Sequence, residues 1–139
     1  MKKNRSIYRT TLSLLLIIST LFFMSSCSTS KTHITANELL GQINTEQAPL
    51  IVDVRSQSEY KSSHVPGAIH VPFWTAFTSS QLDQVDKTQP LVIYCEHGPR
   101  AGIAKMAYSW AGFDTIYYLE GHMLGWKNAK LPVDSGLKK

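Results

Sequence analysis

Two stretches, PLIVDVR (Pro49–Arg55) and PLVIYC (Pro90–Cys95), open on proline and continue through almost unbroken apolar residues. Apolar runs of this length without alternation are strands covered on both faces, as in a parallel sheet. DTIYYLEG (Asp114–Gly121) predicts a further strand. Elsewhere the apolar positions fall at helical spacing. TANELLGQI (Thr35–Ile43) puts Leu39, Leu40 and Ile43 on one face, with Thr35 as N-cap and Glu38 placed to complete a capping box. SQSEYKSSH (Ser56–His64) reads as a capped polar turn of helix, and VPGAIHVPF (Val65–Phe73) as a short extended piece between prolines. WTAFTSSQLDQV (Trp74–Val85) predicts a helix. RAGIAKMAYSWAGF (Arg100–Phe113) predicts another, with Ile103, Met106, Ala107 and Trp110 as its apolar positions and Gly112 as its stop. HMLGWKNAKLPV closes the domain as a short helix and tail, and Trp74, Trp110 and Trp126 are expected in the core or a pocket wall. Strands that alternate with helices argue an α/β domain, a small and mainly parallel sheet flanked by helices. Sites in such sheets lie at the carboxyl ends of strands, which is where Cys95 stands.

The first 27 residues follow a different pattern. Lys2, Lys3, Arg5 and Arg9 precede an apolar run of 13 residues, Leu12–Met24, and then Ser25, Ser26 and Cys27. A basic start, a short apolar run and small residues read as an export signal; a bilayer-spanning helix needs about 20 residues. MSSC resembles the lipobox of bacterial lipoproteins, with Met24 where leucine is commonest. The resemblance implies cleavage before Cys27, lipid on Cys27 and anchoring in a bilayer of the cell envelope, facing the periplasm. Ser28 in place of aspartate leans towards the outer membrane. Residues 1–27 are therefore read as the signal, 28–33 as a polar tether, 34–135 as the folded domain and 136–139 as a tail.

This division changes the charge. Four of the 14 basic residues lie in the signal, leaving 10 against 10 acidic ones. A near-neutral domain without a basic stripe excludes nucleic acid as a partner. Of the two cysteines, a lipidated Cys27 leaves Cys95 without an internal partner. An unpaired thiol in an oxidising compartment is prone to oxidation, so Cys95 is either deeply buried or used.

The segment after it, YCEHGPRAG (Tyr94–Gly102), leads from strand to helix. Backbone N–H groups at such a junction form an anion nest, and helix N-termini with nearby cations favour a thiolate. Arg100 is placed to hold an anionic group, Gly98 permits backbone angles closed to other residues, and Pro99 removes a donor and stiffens the loop. Read from the residues alone, Cys95 is a buried core thiol, a metal ligand or a nucleophile. A zinc site from Cys95, His97 and His122 falls short of the four ligands of a closed structural site. His64, His70 and Asp53 are expected to make structural contacts.

CEHGPRA resembles the active-site loop of rhodanese-type sulfurtransferases, C-x-x-G-x-R. IVDVRSQSEYKSSHVPGAIHVP is similar to the amino-terminal signature of that family, and IYYLEGHMLGW to its closing segment, L-x-G-G-x-x-x-W. The resemblance implies the rhodanese-like fold and Cys95 as a nucleophile that carries sulfane sulfur as a persulfide. It implies a substrate-binding loop of Glu96, His97, Gly98, Pro99, Arg100 and Ala101, whose amides stabilise charge on the sulfur, with Arg100 holding an anionic donor. The donor would be thiosulfate or a persulfide and the acceptor cyanide or a thiol, with no metal or organic cofactor. The chain departs from the family pattern at Glu96, where many members carry a base, and at His122, in place of the second closing glycine. An acid at Glu96 is expected to repel a dianionic donor. The four residues enclosed by Cys95 and Arg100 make a tighter loop than the five of related cysteine phosphatases, which ranks sulfur transfer above phosphoester or arsenate chemistry. A non-catalytic binding module is the alternative from another class.

Overall fold

The computed structural model describes residues 31–137; the segment read as an export signal, Cys27 and Lys138–Lys139 lie outside the described residues. Five strands make one sheet: β1 (His33–Ile34), β2 (Leu50–Asp53), β3 (Ile69–His70), β4 (Leu91–Tyr94) and β5 (Ile116–Leu119). Their order is β1-β5-β4-β2-β3 and every pairing is parallel, with Val52 opposite Ile93 at the centre. The sheet takes in His33, the last residue of the segment read as a tether. β4 is buried along its whole length, as its unbroken apolar run predicts.

Among the described residues four helices cover the sheet: α1 (Ala36–Asn44), α2 (Gln57–Ser62), α3 (Pro99–Trp110) and α4 (His122–Asn128). Leu39 of α1, Tyr60 of α2 and Met123 and Trp126 of α4 pack with Ile51, Val92 and Tyr94 on one face. Ala101, Ala104, Ala107 and Tyr108 of α3 pack with Val52, Leu91 and Ile93 on the other. Thr35 caps α1 by accepting from the Glu38 N–H at 3.2 Å, but the Glu38 carboxylate turns to Lys31 and leaves the capping box half-made. In α2 the box is complete between Ser56 and Glu59.

Two expectations are corrected. Residues 74–85 do not form a helix; two short 3₁₀ turns occupy this region, Phe73–Thr75 and Ser80–Leu82. The segment is rich in hydroxyls that bind the backbone locally: Thr75 donates to the Pro72 carbonyl, Thr78 to that of Thr75, and Ser79 accepts from the Gln81 N–H. Such contacts compete with an α-helical ladder. α3 presents a different face from the one its large apolar residues predict. Its alanines and Tyr108 face the sheet, while Ile103, Met106 and Trp110 are exposed, Trp110 by 76 %. Small side chains let the helix axis approach the sheet. Trp74 is likewise exposed, and only Trp126 of the three tryptophans lies in the core.

Candidate active site

Cys95 follows directly on β4, and α3 starts at Pro99. The three residues between must reverse from extended to helical backbone in a short space. Gly98 makes this possible with φ +127°, a value that side chains with a Cβ resist. Pro99 then takes the first helical position, where the absence of an N–H is harmless.

The loop wraps the thiol. Cys95 is 1 % exposed, and the Gly98 N–H donates to its Sγ at 2.9 Å. Among the described residues the amides of Glu96, His97 and Arg100 donate to no protein acceptor. These donors lie at the amino end of a helix, where charge on sulfur is favoured. The Ala101 amide is not one of them: it closes a turn onto the Gly98 carbonyl at 3.0 Å, and Ala101 itself is packed in the core. His97 is exposed and Pro99 shapes the loop without donating.

Arg100 is already paired with a carboxylate. Its two terminal nitrogens donate to the two carboxylate oxygens of Glu59, each at 2.8 Å. Glu59 is itself fixed at the start of α2, accepting from the Ser56 N–H at 3.0 Å and the Ser56 hydroxyl at 2.5 Å. The Arg100 hydrogen bonds, helped by Ser56, hold the Glu59 carboxyl well below the usual carboxylate range against some desolvation. Glu59 in turn raises the Arg100 pKa, and the nearby Cys95 sulfur adds to the effect.

A second ionic group lies beside the loop. Asp53 and Arg55 are fully buried, and Asp53 accepts from the Arg55 backbone N–H and from its side chain at 2.7–3.1 Å. Burial opposes the charge on Arg55, but Asp53 outweighs it and its pKa is raised. The remaining Arg55 nitrogen takes Glu96 at 2.9 Å, and Lys127 takes the other Glu96 oxygen at 3.3 Å. Burial raises the Glu96 pKa, yet these two cations bring it below its ordinary value. Glu96 therefore does not stand as an uncompensated charge at the mouth of the loop. Its carboxylate serves the Arg55 group, while its amide remains with the loop. His64 and His70 make the structural contacts expected of them, to the carbonyls of Tyr60 and Arg55.

The structure gives His122, which the sequence offered only as a weak zinc-ligand candidate beside Cys95, a direct contact with the loop. It sits at φ +52° at the start of α4, and its Nδ1 accepts from the Cys95 N–H at 3.4 Å. Its Nε2 lies 3.2 Å from where a Cβ on Gly98 would be. Burial lowers the His122 pKa, with His33 and His97 adding to the effect. The same helix start holds the loop through Met123 and Leu124, whose N–H groups donate to the carbonyls of Cys95 and Glu96. The sequence signals for this wall were the histidine in place of a glycine and its grouping with Cys95 and His97 as an incomplete zinc site.

A buried thiol in an amide-lined loop, set between a central parallel strand and a helix, defines a cysteine-loop α/β protein. Residues 35–129 match the rhodanese-like domain, and the chain belongs to that family. It is 35 % identical over 107 residues to the uncharacterized protein slr1261 of Synechocystis, covering 76 % of this chain but only 59 % of that protein. It is 29 % identical over 97 residues to the thiosulfate sulfurtransferase GlpE of Shewanella oneidensis, covering 70 % of this chain and 93 % of GlpE. The crystal structure of the Alr3790 protein from Anabaena superposes with a TM-score of 0.66 at 25 % identity, covering 73 % of this chain and 82 % of that one.

Proposed function

We propose that the protein is a sulfurtransferase that moves sulfane sulfur through a persulfide on Cys95. The observation that carries this reading is the Gly98 N–H on the Cys95 sulfur, with the amides of Glu96, His97 and Arg100 left to receive charge. Family membership and the likeness to GlpE support it. In the first half-reaction the Cys95 thiolate attacks the outer sulfur of thiosulfate or of a persulfide. A new S–S bond forms, the donor's bond to that sulfur breaks, and its electron pair leaves with sulfite or a thiolate. In the second, a thiol or cyanide attacks the outer sulfur on Cys95, and the electron pair of the broken S–S bond returns to Cys95. The loop amides stabilise negative charge in both halves, and Glu96, His97, Gly98 and Arg100 bind through their backbone N–H groups.

The sequence supports a site of action at the cell envelope, with lipid on Cys27 anchoring the domain on the periplasmic side, at the outer membrane. Incubation with thiosulfate or a persulfide donor, followed by mass spectrometry, tests the activity. Cys95 should gain the mass of one sulfur atom and lose it to added cyanide. Cys95→Ser should abolish the gain while keeping the fold. A folded parent that never acquires the sulfur would instead be a binding module with an idle thiol.

A further inference from the structure

Arg100 is the residue that a C-x-x-G-x-R loop offers to an anionic donor, yet here both of its terminal nitrogens are taken by Glu59. The pairing is a two-point fork, the strongest geometry available to these groups. Glu59 is not a mobile surface acid that a substrate could push aside. It occupies the third position of α2, and two bonds from Ser56 hold its carboxylate in addition to those from Arg100. The other cations at the loop are also matched. Arg55 is shared between Asp53, Glu96 and the Ser63 carbonyl, and Lys127 lies on Glu96. Among the described residues at the loop, Arg55, Arg100 and Lys127 thus face Asp53, Glu59 and Glu96, three cations against three carboxylates.

We propose that the Glu59–Arg100 pair makes this site selective for sulfur donors of low charge, thiol persulfides rather than the thiosulfate dianion. The inference rests on the sulfur-transfer reading above and assigns to Glu59 the charge selection that the sequence suggests for Glu96. Apart from Arg100, which neighbours the sulfur with its charge matched by Glu59, the thiol faces a set of neutral amide donors, suited to one negative charge on sulfur. A dianion entering the loop gives up its hydration and finds no unpaired cation in exchange. It also meets the Glu59 carboxylate, since any contact with Arg100 brings it within reach of that acid. With a persulfide, the Cys95 thiolate attacks the terminal sulfur of R–S–SH. The Cys95–sulfur bond forms, the donor S–S bond breaks, and the electron pair leaves as the single thiolate R–S⁻. Cys95 is left carrying –S–SH.

The test uses the full chain, with thiosulfate and with an alkyl persulfide that has no other ionisable group, at low and high ionic strength. The parent should have the higher kcat/KM with the persulfide. Glu59→Gln keeps the side-chain length and can still accept from the Ser56 N–H. It should raise the ratio of thiosulfate to persulfide kcat/KM severalfold at low salt, and less at high salt, where screening already weakens the repulsion. An unchanged or lower ratio in a folded Glu59→Gln overturns the inference. Sulfate provides a check that needs no variant. If Arg100 is engaged, sulfate should slow persulfide transfer by the parent no more than chloride of equal ionic strength. Competitive inhibition specific to sulfate overturns the inference. A parent that takes sulfur faster from thiosulfate overturns the selectivity alone. A parent that acquires sulfur on Cys95 from neither donor overturns the sulfur-transfer reading as well.

Discussion

At the scale of single residues, the loop depends on two neighbours that touch across different elements. Gly98 sits at φ +127°, and a methyl group there would lie 3.2 Å from His122 Nε2. Gly98→Ala therefore meets both backbone strain and a crowded contact. Strain of this kind costs about 1–3 kcal/mol. The expected outcome is a loss of that size in denaturant melts, together with reduced persulfide formation; a melt equal to the parent's would show that the loop relaxes freely. His122 is the other partner. It accepts from the Cys95 N–H through Nδ1, which requires the unprotonated nitrogen. Its folded pKa is lowered, so the neutral form is favoured by folding. That contribution is present above the unfolded histidine value of about 6.5 and is lost as pH falls through the lower folded value. An NMR titration should place the His122 midpoint below about 6.5; a midpoint at or above it would mean that the imidazole is solvated and does not hold the loop. The loop of Cys95, Gly98 and Arg100 was legible, because one short segment contains all three. The partners were not. Glu59 is 41 residues from Arg100 and His122 is 27 from Cys95, so only the fold brings them together.

At the scale of elements, the sequence was readable where one periodicity governed a segment and unreadable where two signals competed. β4 is an unbroken apolar run and β2 one broken only by Asp53, and the structure buries every residue of both but Leu50, which is half-buried. β1 is only two residues long and pairs with β5 alone, which is too little to leave a pattern. In residues 74–85 the hydroxyl side chains defeat an apparent helical spacing. In α3 size misleads: the large apolar side chains draw attention, but the three alanines make the contact with the sheet. Substitutions on the two faces should therefore behave oppositely to a ranking by hydrophobicity. Ala104→Leu inserts three carbons into a filled interface, and overpacking of this kind costs about 1–3 kcal/mol. Ile103→Ser on the exposed face should change stability by no more than about 0.5 kcal/mol. Chemical denaturation of the two variants checks the assignment, and a larger loss for Ile103→Ser would reverse the faces.

At the scale of the whole molecule, the formal charge of +4 belongs to the full sequence and not to the residues after Cys27. The basic excess lies in Lys2, Lys3, Arg5 and Arg9, ahead of the apolar run, and the 10 basic and 10 acidic residues after Cys27 cancel. This asymmetry, with MSSC at the end of the run, motivates the anchoring hypothesis. One acyl chain gives only marginal membrane binding, so a stable lipid anchor on Cys27 would need more than one; no helix among the described residues is long and apolar enough to cross a membrane. Lipid on Cys27 would also leave Cys95 with no internal cysteine to pair with, and its 1 % exposure shields it from chance oxidation. Cys27→Ser should abolish lipid incorporation and leave an unprocessed or mislocalised precursor, detected by labelling cells with a fatty-acid analogue and fractionating their membranes. The substitution is remote from the loop, so the purified variant should still acquire sulfur on Cys95. Labelling and fractionation identical to the parent's would sink the lipid-anchor assignment and leave the sulfur chemistry untouched.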